Sequence, residues 1–288
     1  MSKTKTTTSN LKINIIFFGN TKHSEIGAKI VNTIFPISLF VTISDSPIAL
    51  LAKKLGKPSI ETKILEKTTI EEIAKYEPDF LVVEDYGLIL PNILLKLPRI
   101  ASLNIHHSLL PKYRGPSPAP AAILNGDLVS GVSIIQIITT VDAGSILAQK
   151  KYPLIPGETT DSLLTKLNDM GGKLMVSVIK QYLKHSIKPI PQDLKKATYT
   201  KHLTREDGYF NISNPPSPEI LDRMIRAYYP WPGAWTRFRP LGSNGQAKIV
   251  KFYPGGMIQM EGKKVIPMQD FLNGYPDFPL KKSITLDK

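Results

Sequence analysis

The sequence predicts an α/β protein in which a largely parallel sheet is covered by helices on both faces and a smaller β-rich unit follows. Three observations carry that expectation. Short apolar runs alternate with helical segments through the first half of the chain, the pattern of a parallel sheet. The longest amphipathic stretch, Thr159 to Leu183, sets Leu163, Leu164, Leu167, Met170, Leu174, Val178 and Tyr182 at helical spacing, a core-facing stripe. After about residue 204 the runs become short and are divided by glycines, which suits a small barrel.

In chain order, residues 12–18 (KINIIFF) form an apolar run ending at Gly19, the look of a buried first strand. A helix from about Ser24 to Phe35 follows, with Ile26, Ile30 and Ile34 on one face. Ile37 to Ile43 reads as the second strand, and Pro47 to Leu55 as a helix stopped by Gly56 and Pro58. Ile70 to Tyr76 is a short helix broken before Pro78, Phe80 to Val83 a strand, and Ile100 to His106 another. The apolar run Gly131 to Ile138 adds a strand. Pro189 and Pro191 mark a linker; Glu219 to Ala227 is a short helix; Lys248 to Tyr253, Met257 to Gln259 and Lys264 to Pro267 are β-like. The expected division is a disordered basic tail over 1–10, a first domain over 11–183, a basic linker over 184–203 and a second domain over 204–288.

Composition narrows the function classes. The 288 residues are 42% hydrophobic and 21% charged, and no apolar run reaches the length of a membrane span, so the expectation is a soluble, cytoplasmic protein without a membrane partner. There is no cysteine, which removes disulfides, thiolate nucleophiles and cysteine-based zinc sites together. The opening MSKTKTTTSN lacks an apolar core and does not read as a secretory signal. The net charge is +13, from 37 Lys and Arg against 24 Asp and Glu, a surplus that attracts polyanions. Lys184, Lys188, Lys195, Lys196 and Lys201 cluster in the linker, opposed only by Asp193, as a candidate phosphate track. Gly19-Asn20-Thr21-Lys22 lacks dinucleotide-fingerprint spacing because the next glycine is Gly27, and no Walker A motif occurs. NAD and ATP are therefore not expected.

The chemistry concentrates at Asn104-Ile105-His106, where a strand ends. Residues two apart project to one face. An amide beside an imidazole suits polarising a carbonyl and moving a proton. Asp142, on the tight loop Thr140 to Gly144, supplies the carboxylate that would orient such a histidine.

The run NIHHSLLPKYRG from Asn104 to Gly115, with VDAGSIL from Val141 to Leu147, resembles the signature of the 10-formyltetrahydrofolate-dependent formyltransferases. Tyr86 to Pro91 is similar to the segment leading to that family's folate pocket; Arg226 to Trp235 resembles the C-terminal domain of its methionyl-tRNA-specific members, and Met268 to Leu272 the end of that domain. The resemblance implies a Rossmann-like formyltransferase domain followed by an OB-like barrel. It implies Asn104, His106 and Asp142 as the catalytic set, and Tyr86, Gly87, Leu88, Ser108, Leu109, Leu110 and Pro111 as folate-binding residues. The implied co-substrate is 10-formyltetrahydrofolate, and the implied chemistry needs no metal. The implied reaction is formylation of the amino group of initiator methionyl-tRNA by a monomer, with Lys195, Lys196 and Lys201 on the tRNA; the alternative acceptor is a small amine such as a nucleotide-linked amino sugar. Leu109 and Leu110 face either the pterin or the core. Arg114 is either an anion contact or half of a salt bridge. Trp231 and Trp235 either stack bases or pack between domains. His107, where relatives tend to place a small residue, has no assigned role, and His23, His185 and His202 are expected at the surface. Two departures stand out. Strand two passes almost directly into the next helix, where the tRNA-specific members carry a longer basic loop, and Ser145 replaces an acidic residue.

Overall fold

A computed structural model describes residues 13–241 and 245–280; the tail expected over 1–10 lies outside the described residues. The chain runs β1 (Ile15–Phe18), α1 (Ser24–Ile34), β2 (Ile37–Thr42), α2 (Pro47–Lys54), β3 (Ser59–Glu61), α3 (Lys67–Ala74), β4 (Phe80–Val83), α4 (Asn92–Leu95), β5 (Ala101–His106), α5 (Pro118–Leu124), β6 (Val129–Gln136), β7 (Ile146–Pro153) and α6 (Thr160–Leu183). It continues through α7 (Pro218–Ala227), β8 (Ala234–Phe238), β9 (Lys248–Tyr253), β10 (Met257–Met260), β11 (Ile266–Pro267) and α8 (Met268–Gly274).

The first sheet has the order β3-β2-β1-β4-β5-β6-β7. Pairing is parallel from β3 to β5, and β6 and β7 add antiparallel to that edge. The strands β1, β2 and β4 are apolar runs because both their faces are covered. One face carries α1 and α6, with Ala28, Val31, Met175, Val178 and Ile179 against Phe17, Phe40, Val82 and Ile105. The other carries α3, with Ile70 and Ile73 against Ile16, Phe18, Leu39 and Leu81. Helix starts follow their caps: Ser46 Oγ accepts from Ala49 N at 3.0 Å with Pro47 leading α2, and Thr159 and Ser162 form a reciprocal capping box on α6. No described helix is long and apolar enough to cross a membrane.

The second sheet, order β11-β10-β9-β8, is four-stranded and antiparallel, the smaller β unit that the glycine-divided runs predict. Phe271 of α8 and Leu221 and Ile225 of α7 fill its core with Phe252, Ile258 and Phe278. The other flank of α7 meets the first unit: Ala227 and Tyr228 pack with Ala119, Leu163 and Leu167, and Thr160 Oγ1 donates to the Ala227 carbonyl at 2.6 Å. The segment expected as a basic linker is tied to the first unit at two points. Ile190 bridges Ile146 in antiparallel fashion and Tyr199 bridges Arg114.

Helix α1 buries a face offset from the one its isoleucines mark, with Ile26 half-buried and Ile30 at the margin of the core. Ile34 is 49% exposed, and the inward residues are Gly27, Ala28 and Val31. The reason is close approach. A Cβ on Gly172 of α6 would lie 3.0 Å from the Gly27 Cα, and a Cβ on Gly27 would lie 2.0 Å from Glu84 Oε2. Gly27→Ala is therefore expected to lower stability by about 1–3 kcal/mol through overpacking. Combined with Glu84→Ala the two losses should be sub-additive, because the second change removes the group the first one strikes; thermal unfolding of the single and double variants measures this.

Candidate active site

Strand β5 ends among its neighbours with Asn104 paired to Val83 of β4 and Ile135 of β6. Asn104 is half-buried and His106 is 5% exposed. Asp142 arrives from the loop between β6 and β7 in a left-handed conformation, φ 50°. That loop is pinned closely: a Cβ on Gly144 would fall 1.7 Å from the Gln136 carbonyl oxygen. The sequence spacing thus brings the three side chains together. Asn104 Nδ2 donates to Asp142 Oδ1 at 3.4 Å, and His106 Nδ1 lies 3.5 Å from Asp142 Oδ2. The same Oδ2 accepts the Gly115 backbone N–H at 2.7 Å.

His106 Nε2 donates to the Tyr113 carbonyl at 2.9 Å. A carbonyl accepts only, so that nitrogen carries the proton, and Nδ1 faces a carboxylate. Only the imidazolium satisfies both partners. Burial nonetheless lowers the His106 pKa, against the opposing pull of Asp142 and of the Tyr113 carbonyl. Burial thus favours the neutral ring while the two acceptors around it favour the charged form, the balance of a proton acceptor.

The residues expected around the folate divide into two groups. Tyr86 is 2% exposed, with its ring edge-on to Phe18 at 5.3 Å; burial pushes its hydroxyl up to about 12, and that hydroxyl lacks a hydrogen-bond partner. Ser108 Oγ is spent inside its own turn, donating to the Lys112 carbonyl at 2.6 Å. Leu110 belongs to a small core with Ile135 and Ile146, and Leu109 closes on Gly131. The side chains of Ser108 and Leu110 therefore face the fold, and core burial is the answer for Leu110. Gly87, at φ 84°, is exposed and Leu88 is half-buried against the core, with Ile89 at 77% exposure beside them and Pro111 half-buried. Ile137 packs with Tyr86 and Leu88, so the loop that leads to exposed Ile138 and Val141 borders the same place. Exposed apolar side chains flanking a polar set fit a flat heterocycle with a polar edge.

Three readings from the sequence need correction. Arg114 is 2% exposed and has no salt-bridge partner among the described residues; its Nε and Nη2 donate to Gln192 Oε1 at 3.1 and 2.8 Å. Lys201 is not an unopposed cation, since its Nζ sits 2.5 Å from Asp207 Oδ1. His23 is buried rather than superficial, with Nε2 3.1 Å from Asp161 Oδ1, and burial lowers its pKa more than that carboxylate raises it. Of the two tryptophans, Trp235 is packed under Tyr209 with Nε1 donating to the Arg205 carbonyl at 3.0 Å, and Trp231 is 58% exposed.

Gln192 is the residue the sequence reading missed. Its Nε2 donates to the carbonyls of Asp142 and Gly144 at 2.8 and 2.7 Å while its Oε1 takes the Arg114 guanidinium. Nothing in the sequence marks it, because it follows Asp142 by 50 residues within a linker. Among the described residues no group of three or more His, Cys, Asp or Glu could hold a metal ion.

Comparison with known proteins gives the site its context. Residues 41–179 match the family described as Formyl transferase. The methionyl-tRNA formyltransferase of Roseiflexus sp. (strain RS-1) is 43% identical over 195 residues, 67% of this chain and 59% of that protein, so the chain spans about three fifths of its length. The methionyl-tRNA formyltransferase of Myxococcus xanthus (strain DK1622) is 33% identical over 259 residues, 81% of this chain and 82% of that protein. Among solved structures, a sugar 3N-formyl transferase determined in the presence of dTDP and 5-N-formyl-THF superposes with a TM-score of 0.59 over 88% of this chain and 99% of its own; at 17% identity the likeness is one of fold.

Proposed function

The chain belongs to the formyl transferase family, and on that premise we propose that it transfers a formyl group from 10-formyltetrahydrofolate to a primary amine. The arrangement of Asn104, His106 and Asp142 carries the proposal. The neutral amine attacks the formyl carbon and leaves an oxyanion on the tetrahedral centre. Asn104 Nδ2 gives up its long contact to Asp142 and donates to that oxygen. His106 takes the proton of the attacking amine, its charge then satisfied by Asp142 and the Tyr113 carbonyl. The bond from carbon to N10 breaks and the proton passes to N10, so no net proton is released. No covalent enzyme intermediate forms. The folate lies along the Gly87–Leu88 edge and Pro111.

For the acceptor we read methionyl-tRNA first, on the names of the curated relatives, with 33% identity over 259 residues to the Myxococcus protein, and on the +13 charge. The second reading is a nucleotide-linked amino sugar. Two observations favour it: β2 ends at Thr42 and α2 begins at Pro47, leaving no long loop between them, and the fold covers 99% of a sugar formyl transferase. Charged initiator tRNA and a nucleotide-linked amino sugar, each offered with 10-formyltetrahydrofolate, decide between them.

If tRNA is the acceptor, its affinity falls steeply with salt, with a log–log slope near −0.7 to −0.9 per neutralised phosphate. Lys195→Glu and Lys196→Glu, both at exposed positions, should each raise the tRNA KM and flatten that slope by about one unit. Lys201→Glu should do less than Lys195→Glu, because Asp207 sits 2.5 Å from that ammonium, and Lys196→Glu should fall between them, with Asp193 at 3.5 Å. A slope unaffected by any of the three would remove the linker from the interface.

A further inference from the structure

Beside the catalytic set lie three ionisable side chains that the reaction above does not use. Glu84 and Asp85 follow β4, and His107 follows β5. The two strands are parallel neighbours with Val83 paired to Asn104, so their ends emerge side by side. His107 is 3% exposed and Glu84 0%. The His107 ring bridges the two acids, Nδ1 at 3.4 Å from Asp85 Oδ1 and Nε2 at 3.6 Å from Glu84 Oε1. Among the described residues neither Glu84 oxygen nor His107 Nε2 has a hydrogen-bond partner, so the 3.6 Å approach is a contact at ion-pair distance. Glycines line the slot that holds this carboxyl: Gly27 of α1, where a Cβ would lie 2.0 Å from Oε2, and Gly171 of α6, where it would lie 3.6 Å from Oε1.

Asp85 is the outward end of the cluster. It is half-buried, adopts φ 50° and accepts from Thr21 Oγ1 at 3.2 Å. It also begins the turn that carries the open pocket edge. Tyr86 follows, its carbonyl clamped by Asn20 Nδ2, and then Gly87 at φ 84°. The His107 side chain thus ties the strand bearing Asn104 and His106 to the segment assigned to the folate.

We propose that His107 is a positioning residue for formyl transfer: its ring, seated between Glu84 and Asp85, fixes the Asp85–Leu88 turn against the end of β5 and so sets where the donor lies relative to Asn104 and His106. The proposal rests on the formyl-transfer reading above. It also accounts for a histidine at a place where a small residue would pack with less cost, since a buried imidazole is retained only where partners hold it.

The charges support this geometry. Burial alone would lower His107; Asp85 and Glu84 outweigh it and raise it to about 10. Burial pushes Glu84 up to about 8, with His107 opposing. Burial acts against ionisation of Asp85, yet His107, His23 and Thr21 hold its carboxyl below the usual value. The neutral-pH state is therefore His107 charged, Asp85 charged and Glu84 protonated. The other charged groups nearby are His106, and His23 with Asp161 and Lys22; α1 and α6 approach Glu84 at Gly27 and Gly171. The folded-state values of Glu84 and His107 are both raised. Their contribution to stability is full at low pH and is lost as pH rises through about 8 and about 10. Above about 8 an ionised Glu84 is expected to draw the ring from Asp85, and the pH dependence of folate binding tests this.

The test titrates 5-formyltetrahydrofolate into the protein by calorimetry between about pH 6 and about pH 9, beside thermal unfolding and steady-state turnover. His107→Gln and Asp85→Asn should each weaken folate binding by about tenfold, through misplacement of the pocket wall. The double variant should be little weaker than either single one. Wild-type affinity should drop as pH passes about 8, and Glu84→Gln, which has no proton to lose, should erase that drop. Asp85→Asn changes no volume, so it keeps the test open where His107→Gln fails to fold. Variants that melt lower yet bind folate with wild-type affinity and the same pH profile would overturn the positioning role and leave formyl transfer standing. A wild-type protein that binds no reduced folate would overturn both.

Discussion

Replacing Asn104 with alanine lowers kcat by about 10²–10³-fold, the cost of one oxyanion donor. His106→Ala lowers it by about 10²–10⁴-fold, the range of a positioned proton carrier. Asp142→Ala follows His106→Ala closely, because it removes the group that supports the imidazolium and also the acceptor of the Gly115 N–H. The three losses are not additive, since the groups act on one transition state. Folate affinity should survive all three better than kcat, because these contacts strengthen only as the oxyanion forms. The acid limb of the pH profile should lie below the ordinary imidazole value, because burial lowers His106. Single-turnover rates with saturating folate check the set, and near-normal kcat in His106→Ala would sink the mechanism.

What the sequence revealed of this arrangement depends on how each feature is encoded. The buried strands β1, β2, β4 and β5 are apolar runs, because helices cover both their faces, and they read directly. The edge strands do not. β3 is three residues long with its two end residues exposed, and β7 carries Gln149, Lys150 and Lys151 along a strand whose burial fades after Leu147. Neither shows as an apolar run. Helix α1 was legible as a helix but not in its orientation, because its close face is set by Gly27 against Gly172 and Glu84, and a period of isoleucines outweighs a glycine in any pattern. The pair Asn104 and His106 was legible because strand periodicity alone places them on one face. The partners of Arg114 and His23 lie 78 and 138 residues along the chain and leave no local trace, whereas Asp207 follows Lys201 by six residues, just past the expected domain boundary. The Glu84–His107–Asp85 cluster joins the ends of two strands, His107 following Asp85 by 22 residues, and was invisible for the same reason as the first two.

Gln192 shows how such a distant residue controls the chemistry. Its amide is used at both ends: the nitrogen holds the backbone of the Asp142 loop and the oxygen holds buried Arg114. Gln192→Ala leaves two carbonyls and a guanidinium without these partners, and stability should fall by about 3 kcal/mol, more than a neutral bond would cost because one group is charged. Turnover should fall by about 10²-fold, since an ångström of movement in Asp142 is enough. Gln192→Glu separates the two roles. A carboxylate keeps the Arg114 guanidinium as a charge-assisted partner, but it has no N–H for the Asp142 and Gly144 carbonyls and places oxygen against oxygen. This variant should melt well above Gln192→Ala and yet lose turnover to the same degree, with folate affinity retained in both. The strap from Ile190 to Thr200 would then be part of the catalytic device, because it is anchored to β7 at Ile146 and to the Arg114 turn, and it reaches the Asp142 loop through this one side chain. Equal turnover in Gln192→Glu and wild type, measured at saturating donor and acceptor, would confine Gln192 to holding Arg114.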